Sequence, residues 1–353
     1  MLPEITPAAI KRPRGARSRG SGGLLTACAA FMLTAVLMFN AGCGATSTTV
    51  GQESTGRRER RVNKQTPDGA NMETDQTKMT ETNAERKEST TKTAPTFFYS
   101  ELKKALLARK LKLETVCDTG DSVSRRVLED YGAMFLAASS VSPPPVCVFK
   151  SEAEVLQFQE DADFTTAVIG GDRIELQPAA MNALQAAREE ARAMKLDITP
   201  RGGEEAARRS YTDTVRLWNT RFLPALTYWS NKGRLSKEQV ARLRRLPLGE
   251  QVREVLELEK SGIFFSKDFS KSILYSIAAP GTSQHLAMLA LDVEQFASER
   301  VRRILARHGW FQTVLSDLPH FTYLGLEEKD LTARGLRPVI SGKQLFWIPN
   351  VAE

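Results

Sequence analysis

Residues 44–95 set the outer limit on what this chain can fold into. The segment is rich in Thr, Glu, Lys and Asn and contains no aromatic residue. Such a composition cannot bury enough apolar surface to offset the entropy lost on ordering it. It reads as a disordered tether, and a flexible chain of this length spans on the order of 40 Å r.m.s.. A packed core must therefore be built from residues 96–353.

The residues ahead of the tether, 1–43, read as a leader. Lys11, Arg12, Arg14, Arg17 and Arg19 precede the apolar run LLTACAAFMLTAVLMF, residues 24–39, and small residues around Cys43 follow. A basic, then apolar, then small-residue order is that of an export signal. The apolar run is shorter than the roughly 20 residues that a membrane span needs. Cys43 is a candidate lipidation site, although Asn40 stands where lipoprotein signals usually carry Leu. Lipidation at Cys43, an uncleaved anchor and plain cleavage stay open as alternatives. Each places the remaining chain in the cell envelope or periplasm, and the first two tether it to the membrane. Five basic residues against Glu4 put +4 in the leader, which leaves +3 of the formal +7 for everything else. The charge is thus largely a topology signal, and no nucleic-acid partner is expected. The run Arg57–Arg61 reads as a solvated stretch of the tether.

From Phe97 onward the pattern is globular. Amphipathic periodicity predicts helices over FFYSELKKALLARKLKLE, SVSRRVLEDYGAMFLAA and SEAEVLQFQEDA, and most strongly over PAAMNALQAAREEARAMK, with Pro178 at its start. TTAVIGGDRIELQ reads as a hairpin turning at Gly170-Gly171-Asp172. SPPPVCVF and LDITPRGG each suggest a short strand beside a turn. Residues 222–276 are helical and charged and read as an insertion covering a core. Helices and short strands mix without a βαβ rhythm, which predicts an α+β fold with a small antiparallel sheet.

Four cysteines occur, and Cys28 and Cys43 belong to the leader. Cys117 and Cys147 are left as the pair of an exported domain, which predicts a disulfide. Two buried free thiols are the alternative, and no neighbouring residues complete a metal set around them.

The chain has only three histidines. His308 ends VRRILARHG, where an imidazole suits the free carbonyls and dipole of a helix C-terminus. His285 lies in PGTSQHLAMLALDV with Asp292 seven residues on, and His320 lies in DLPHF with Asp317 three before it. Positions i and i+3 of a straight strand face opposite ways, but Pro319 allows a bend that brings Asp317 and His320 to one site. Two imidazoles and one carboxylate form a catalytic zinc set with a fourth position open. A pair of buried, hydrogen-bonded histidines with surface acids is the alternative that spacing alone leaves standing.

PGTSQHLAMLALDV resembles the S-x-H-x-x-G-x-A-x-D motif of the VanY-type D-alanyl-D-alanine carboxypeptidases, a zinc peptidase family that also holds L-alanyl-D-glutamate endopeptidases. Ser283, His285, Ala290 and Asp292 match, and Met288 stands where the family has Gly. DLPHF is similar to the family's closing motif, and RRSY to its Tyr-Arg-Ser-Tyr segment, with Arg209 in the arginine's place. Thr214 stands where the family usually carries Gln. The resemblance spans about residues 165–325. It implies one zinc ion on His285, Asp292 and His320, Asp317 as general base, and Arg209 holding substrate or transition-state oxygens. Ser283 would support the metal through a hydrogen bond.

The plan that follows has a leader (1–43), a tether (44–95), an accessory N-terminal part of the folded domain (96–164) and a zinc peptidase domain (165–353) carrying the helical insertion. The expected activity is hydrolysis of peptidoglycan stem peptides, with D-alanyl-D-alanine carboxypeptidase first. The alternatives are the L-alanyl-D-glutamate endopeptidase and a catalytically silent, zinc-containing cell-wall-binding module.

Overall fold

The computed structural model describes residues 97–351. The leader, Cys43 and the tether lie outside the described residues. α1 (Phe98–Ala108) buries Phe98, Leu102 and Leu106, one residue per helical turn. α2 (Leu113–Val116) is a single turn. α3 (Ser122–Tyr131) starts at Asp121, whose carboxylate accepts from Ser124 N, and α4 (Glu152–Ala162) is capped in the same way by Ser151. β1 (Thr165–Ile169) and β2 (Asp172–Leu176) form a hairpin in which Ile169 faces Asp172. Its turn needs Gly170 and Gly171, whose φ angles of 65° and 100° favour residues without Cβ. α5 (Pro178–Ala193) follows, with Ala180, Met181, Leu184, Ala187 and Ala191 on its buried face.

α6 (Tyr211–Asn231), α7 (Lys237–Arg245) and α8 (Leu248–Lys260) make a helical section. Capping boxes Ser210–Asp213 and Ser236–Gln239 start the first two helices. The section has its own apolar cluster, built on Trp218, Phe222, Leu226, Val255 and Phe265. α6 crosses residue 222 without a break, so these helices are continuous with the segment that carries Arg209.

The central sheet is antiparallel in the order β3 (Ala290–Asp292), β5 (His320–Tyr323), β4 (Trp310–Phe311). α9 (Glu299–Arg307) bridges β3 and β4 and ends at His308, whose Nε2 lies 2.8 Å from Glu190 Oε2 on α5. β6 (Leu336–Ser341) and β7 (Gln344–Pro349) close the chain as a hairpin. The architecture is α+β. Among the described residues no helix is long and apolar enough to cross a membrane.

Two expected strands do not form. In SPPPVCVF three consecutive prolines remove the amides a ladder needs, and the remaining amides reach unrelated partners, Cys147 N to Val116 O and Phe149 N to Gly281 O. LDITPRGG runs beside β3 but makes only an isolated bridge, Pro200 to Val293, because Pro200 has no amide to continue the ladder.

The N-terminal helices share one core with the sheet. Phe98, Leu102, Phe135 and Phe149 belong to the same buried cluster as Leu286, Leu289, Leu291 and Phe321. Gly281, at φ 78°, passes so close beneath Phe149 that an added Cβ would stand 2.0 Å from Phe149 O. Residues 97–164 therefore buttress the turn that carries His285.

Cys117 and Cys147 are joined by a disulfide. In the chain-entropy account a loop of this size contributes about 3.5 kcal/mol. Cys117→Ala/Cys147→Ala should lower the melting temperature by about 4 °C or more, read by circular dichroism. Oxidised protein with two free thiols by mass spectrometry would contradict the bridge.

Candidate metal centre

The strand register creates the site. β3 and β5 pair so that Asp292 lies directly opposite His320, and directly opposed residues present their side chains on one face of the sheet. His285 arrives from the short 3-10 turn Gln284–Ala287 just before β3. His285 Nε2 is 3.1 Å from His320 Nδ1, and each of these nitrogens is 3.4 Å from Asp292 Oδ1. His285 is 1% and His320 5% exposed, so both rings are largely withdrawn from bulk solvent.

Hydrogen bonds behind the imidazoles set their tautomers. His285 Nδ1 is 2.8 Å from the carbonyl of Ala207, which can only accept, so Nδ1 carries the proton. His320 Nε2 is 2.7 Å from Gln284 Oε1. The Gln284 amide is fixed in turn by Nε2 donating to Tyr131 O at 2.7 Å, so His320 Nε2 is the donor. Both proton-free nitrogens therefore point at Asp292 Oδ1, which is buried and has no hydrogen-bond partner. Three acceptor atoms converge with no proton between them. Such a cluster is repulsive by itself and is satisfied by a cation, and the three residues can hold a metal ion. The donor set fits zinc: two neutral imidazoles and one carboxylate.

The electrostatics agree. Burial, helped by the Arg209 charge and opposed by Asp292, lowers the His285 pKa to about 4. Burial opposes ionisation of Asp292, but its interactions with His285 and His320 outweigh that and hold its carboxyl well below the usual range. At neutral pH the site thus presents a neutral His285 beside an ionised Asp292. The linkage has a definite sign. An unfolded His285 takes up a proton below about 6.5, whereas the folded one does so only near 4. Metal-free wild type should lose stability relative to metal-free His285→Gln as pH falls from about 6.5 to 4. Thermal melts in chelator across that window measure it; a constant difference would contradict the buried neutral imidazole.

The other expected residues surround this centre. Arg209 donates from Nη2 to Asp292 Oδ2 at 2.7 Å and from Nε to Glu205 O at 2.8 Å. It lines the same cleft as His285, His320, Asp317 and Ser283. The Ser283 hydroxyl accepts from His285 N at 3.4 Å, so it acts on the turn rather than on the ring. Asp317 and His320 are the ends of a turn around Leu318 and Pro319, closed by His320 N to Asp317 O at 3.2 Å. Asp317 is an exposed residue at the cleft wall. Desolvation on its cleft side, reinforced by Asp292 and opposed by His320 and Arg209, pushes its carboxyl up. Solvent on its outer side screens these effects.

Met288 adopts φ 54°, ψ 30°, the left-handed conformation that glycine accepts without penalty. It is fully buried and does not line the cleft. Its packing offsets a strain of about 1–2 kcal/mol.

Sequence reasoning missed the support layer. Gln284 orients His320. Gln159 donates to Leu286 O at 3.1 Å and to Arg209 O at 2.9 Å, tying the metal turn to the arginine segment. A glutamine is ordinarily a surface residue, and nothing local marks these two as buried. Gln284→Leu should lower metal affinity by about 10–100-fold while the fold persists, as measured by competition with a chromogenic chelator; unchanged affinity would remove Gln284 from the site.

No protein-family model matches the chain, and no curated protein matches it.

Proposed function

We propose that this chain is an exported zinc metallopeptidase that hydrolyses peptidoglycan stem peptides, removing the terminal D-alanine. One observation carries the reading: two imidazole lone pairs and an orphaned buried carboxylate oxygen converge at a cleft whose wall also carries Asp317. The resemblance of the His285–Asp292 and Asp317–His320 segments to the VanY-type motifs supplies the substrate class.

His285, Asp292 and His320 would hold the ion. Zinc supplies Lewis acidity, which polarises a peptide carbonyl and acidifies a nearby water. Asp317 takes a proton from the attacking water and delivers it to the amine released when the C–N bond breaks. A carboxyl shifted upward from its ordinary value suits that alternation of base and acid. Arg209 holds Asp292 in place through Oδ2 and turns the rest of its guanidinium toward the cleft, where it can meet a carboxylate or an oxyanion.

A specific feature favours a second reading. Arg209 spends Nη2 on Asp292, which leaves less of the guanidinium for a substrate's terminal carboxylate. An L-alanyl-D-glutamate endopeptidase needs no such clamp. Incubation of the zinc-loaded protein with pentapeptide and tetrapeptide muropeptides, followed by mass spectrometry, separates the readings. Loss of one alanine from pentapeptide alone supports the carboxypeptidase. Cutting of both at L-alanyl-D-glutamate supports the endopeptidase. Zinc binding with no cleavage of either leaves a silent cell-wall-binding module.

A further inference from the structure

Asp317 stands on a short turn, and whatever fixes that turn fixes the place of its carboxylate. The turn closes on itself through Asp317 N to Val314 O at 3.1 Å and His320 N to Asp317 O at 3.2 Å. Its far end is held to the sheet by Val293 N, which donates to Pro319 O at 2.9 Å. Between these points Leu318 O accepts from Gln312 Nε2 at 2.6 Å. The Leu318 side chain is 40% exposed, so its packing does little to fix the turn.

Gln312 follows β4 and is itself buried, at 3% exposed. A carbonyl can only accept, so the Gln312 amide nitrogen must face Leu318. The second hydrogen of that nitrogen goes to Gln344 Oε1 at 2.6 Å, at the start of β7. Trp347 N also donates to Gln312 O at 2.8 Å. The C-terminal hairpin thus grips residue 312 by main chain and side chain, and residue 312 grips the turn. The peptide planes on either side of the Leu318 Cα are both held, one through Asp317 O and one through Leu318 O. Pro319 locks its own φ. Without Gln312 the second plane is free to tilt, and Asp317 loses its fixed place beside His320.

We infer that Gln312 is a positioning residue: it holds the Asp317 turn at the metal centre, and Gln344 on the C-terminal hairpin holds Gln312. His320 is placed independently, by its register opposite Asp292 and by Gln284. Gln312 therefore acts on the proton carrier and not on the ligand set. The proton-carrying role of Asp317 rests on the peptidase reading; the hold of Gln312 on the turn does not. The hairpin, residues 336–349, lies outside the resemblance to the zinc peptidases, and this contact ties it to the reaction.

Hydrogen exchange and kinetics on the zinc-loaded full chain test this together. In Gln312→Leu the His320 amide should exchange about 10-fold faster, as expected from the loss of one ordinary hydrogen bond nearby. The Tyr323 amide, which donates to Leu289 O in the same sheet, should not change. Zinc content should not change either. On muropeptides kcat should fall about 10-fold or more with KM unchanged, the mark of a displaced proton carrier. In the Asp317→Asn background Gln312→Leu should cost nothing further, because no carboxylate is left to place. Gln344→Leu, at a half-buried position, serves if Gln312→Leu does not fold. It should show the same effects at smaller size, and Gln344→Glu, which restores an oxygen acceptor, should recover them. An unchanged His320 amide, loss of zinc, or an equal drop in kcat in the Asp317→Asn background each overturns the inference. A faster amide in a protein whose parent cleaves neither pentapeptide nor tetrapeptide sinks the peptidase reading and leaves Gln312 as the holder of the turn. Cleavage by the parent with amide and kcat both unmoved in the variant does the reverse.

Discussion

One zinc ion per chain should be recovered from purified protein, and His320→Ala should lose it. The expectation comes from the three converging acceptors, His285 Nε2, His320 Nδ1 and Asp292 Oδ1. Removing one of three ligands must cost more than removing a supporting residue, which costs about 10–100-fold in metal affinity. Because the ion binds the folded state, zinc should also raise the melting temperature. At a thousandfold excess over the dissociation constant the stabilisation is about 4 kcal/mol. Chelation should reverse it in the parent protein and do nothing in His320→Ala. Full zinc occupancy in the variant would falsify the assignment, and a melting temperature indifferent to chelator would contradict it.

Asp317→Asn should keep the zinc and lose turnover. The carboxylate lies in the cleft but outside the ligand triad, so its replacement leaves the donor set intact. General acid–base assistance is worth about 10²–10⁴-fold, and the loss should fall on kcat rather than on KM. Asp317→Glu should recover part of it through the longer side chain. An Asp317→Asn protein with unchanged kcat on muropeptides would reject Asp317 as the proposed proton carrier. Loss of zinc in the same variant would instead make it part of the metal centre.

What the sequence determined by itself was local. The Gly170–Gly171 hairpin and the Pro178 start of α5 follow from dihedral preferences within a few residues. The scarcity of histidine and cysteine narrowed the candidates to His285, His320 and the Cys117–Cys147 pair. The expected strands at SPPPVCVF and LDITP failed because period and composition alone cannot show whether a partner edge with free amides lies alongside. Only the tertiary structure decided what the histidines can do. Asp292 and His320 stand 28 residues apart in sequence and meet through the β3–β5 register. The carbonyl of Ala207 and the amide of Gln284 choose which imidazole nitrogens are bare. Arg209 meets Asp292 across 83 positions. These are contacts between distant segments whose energies are realised only once the shared core is packed. A residue's neighbours in sequence carry no record of them.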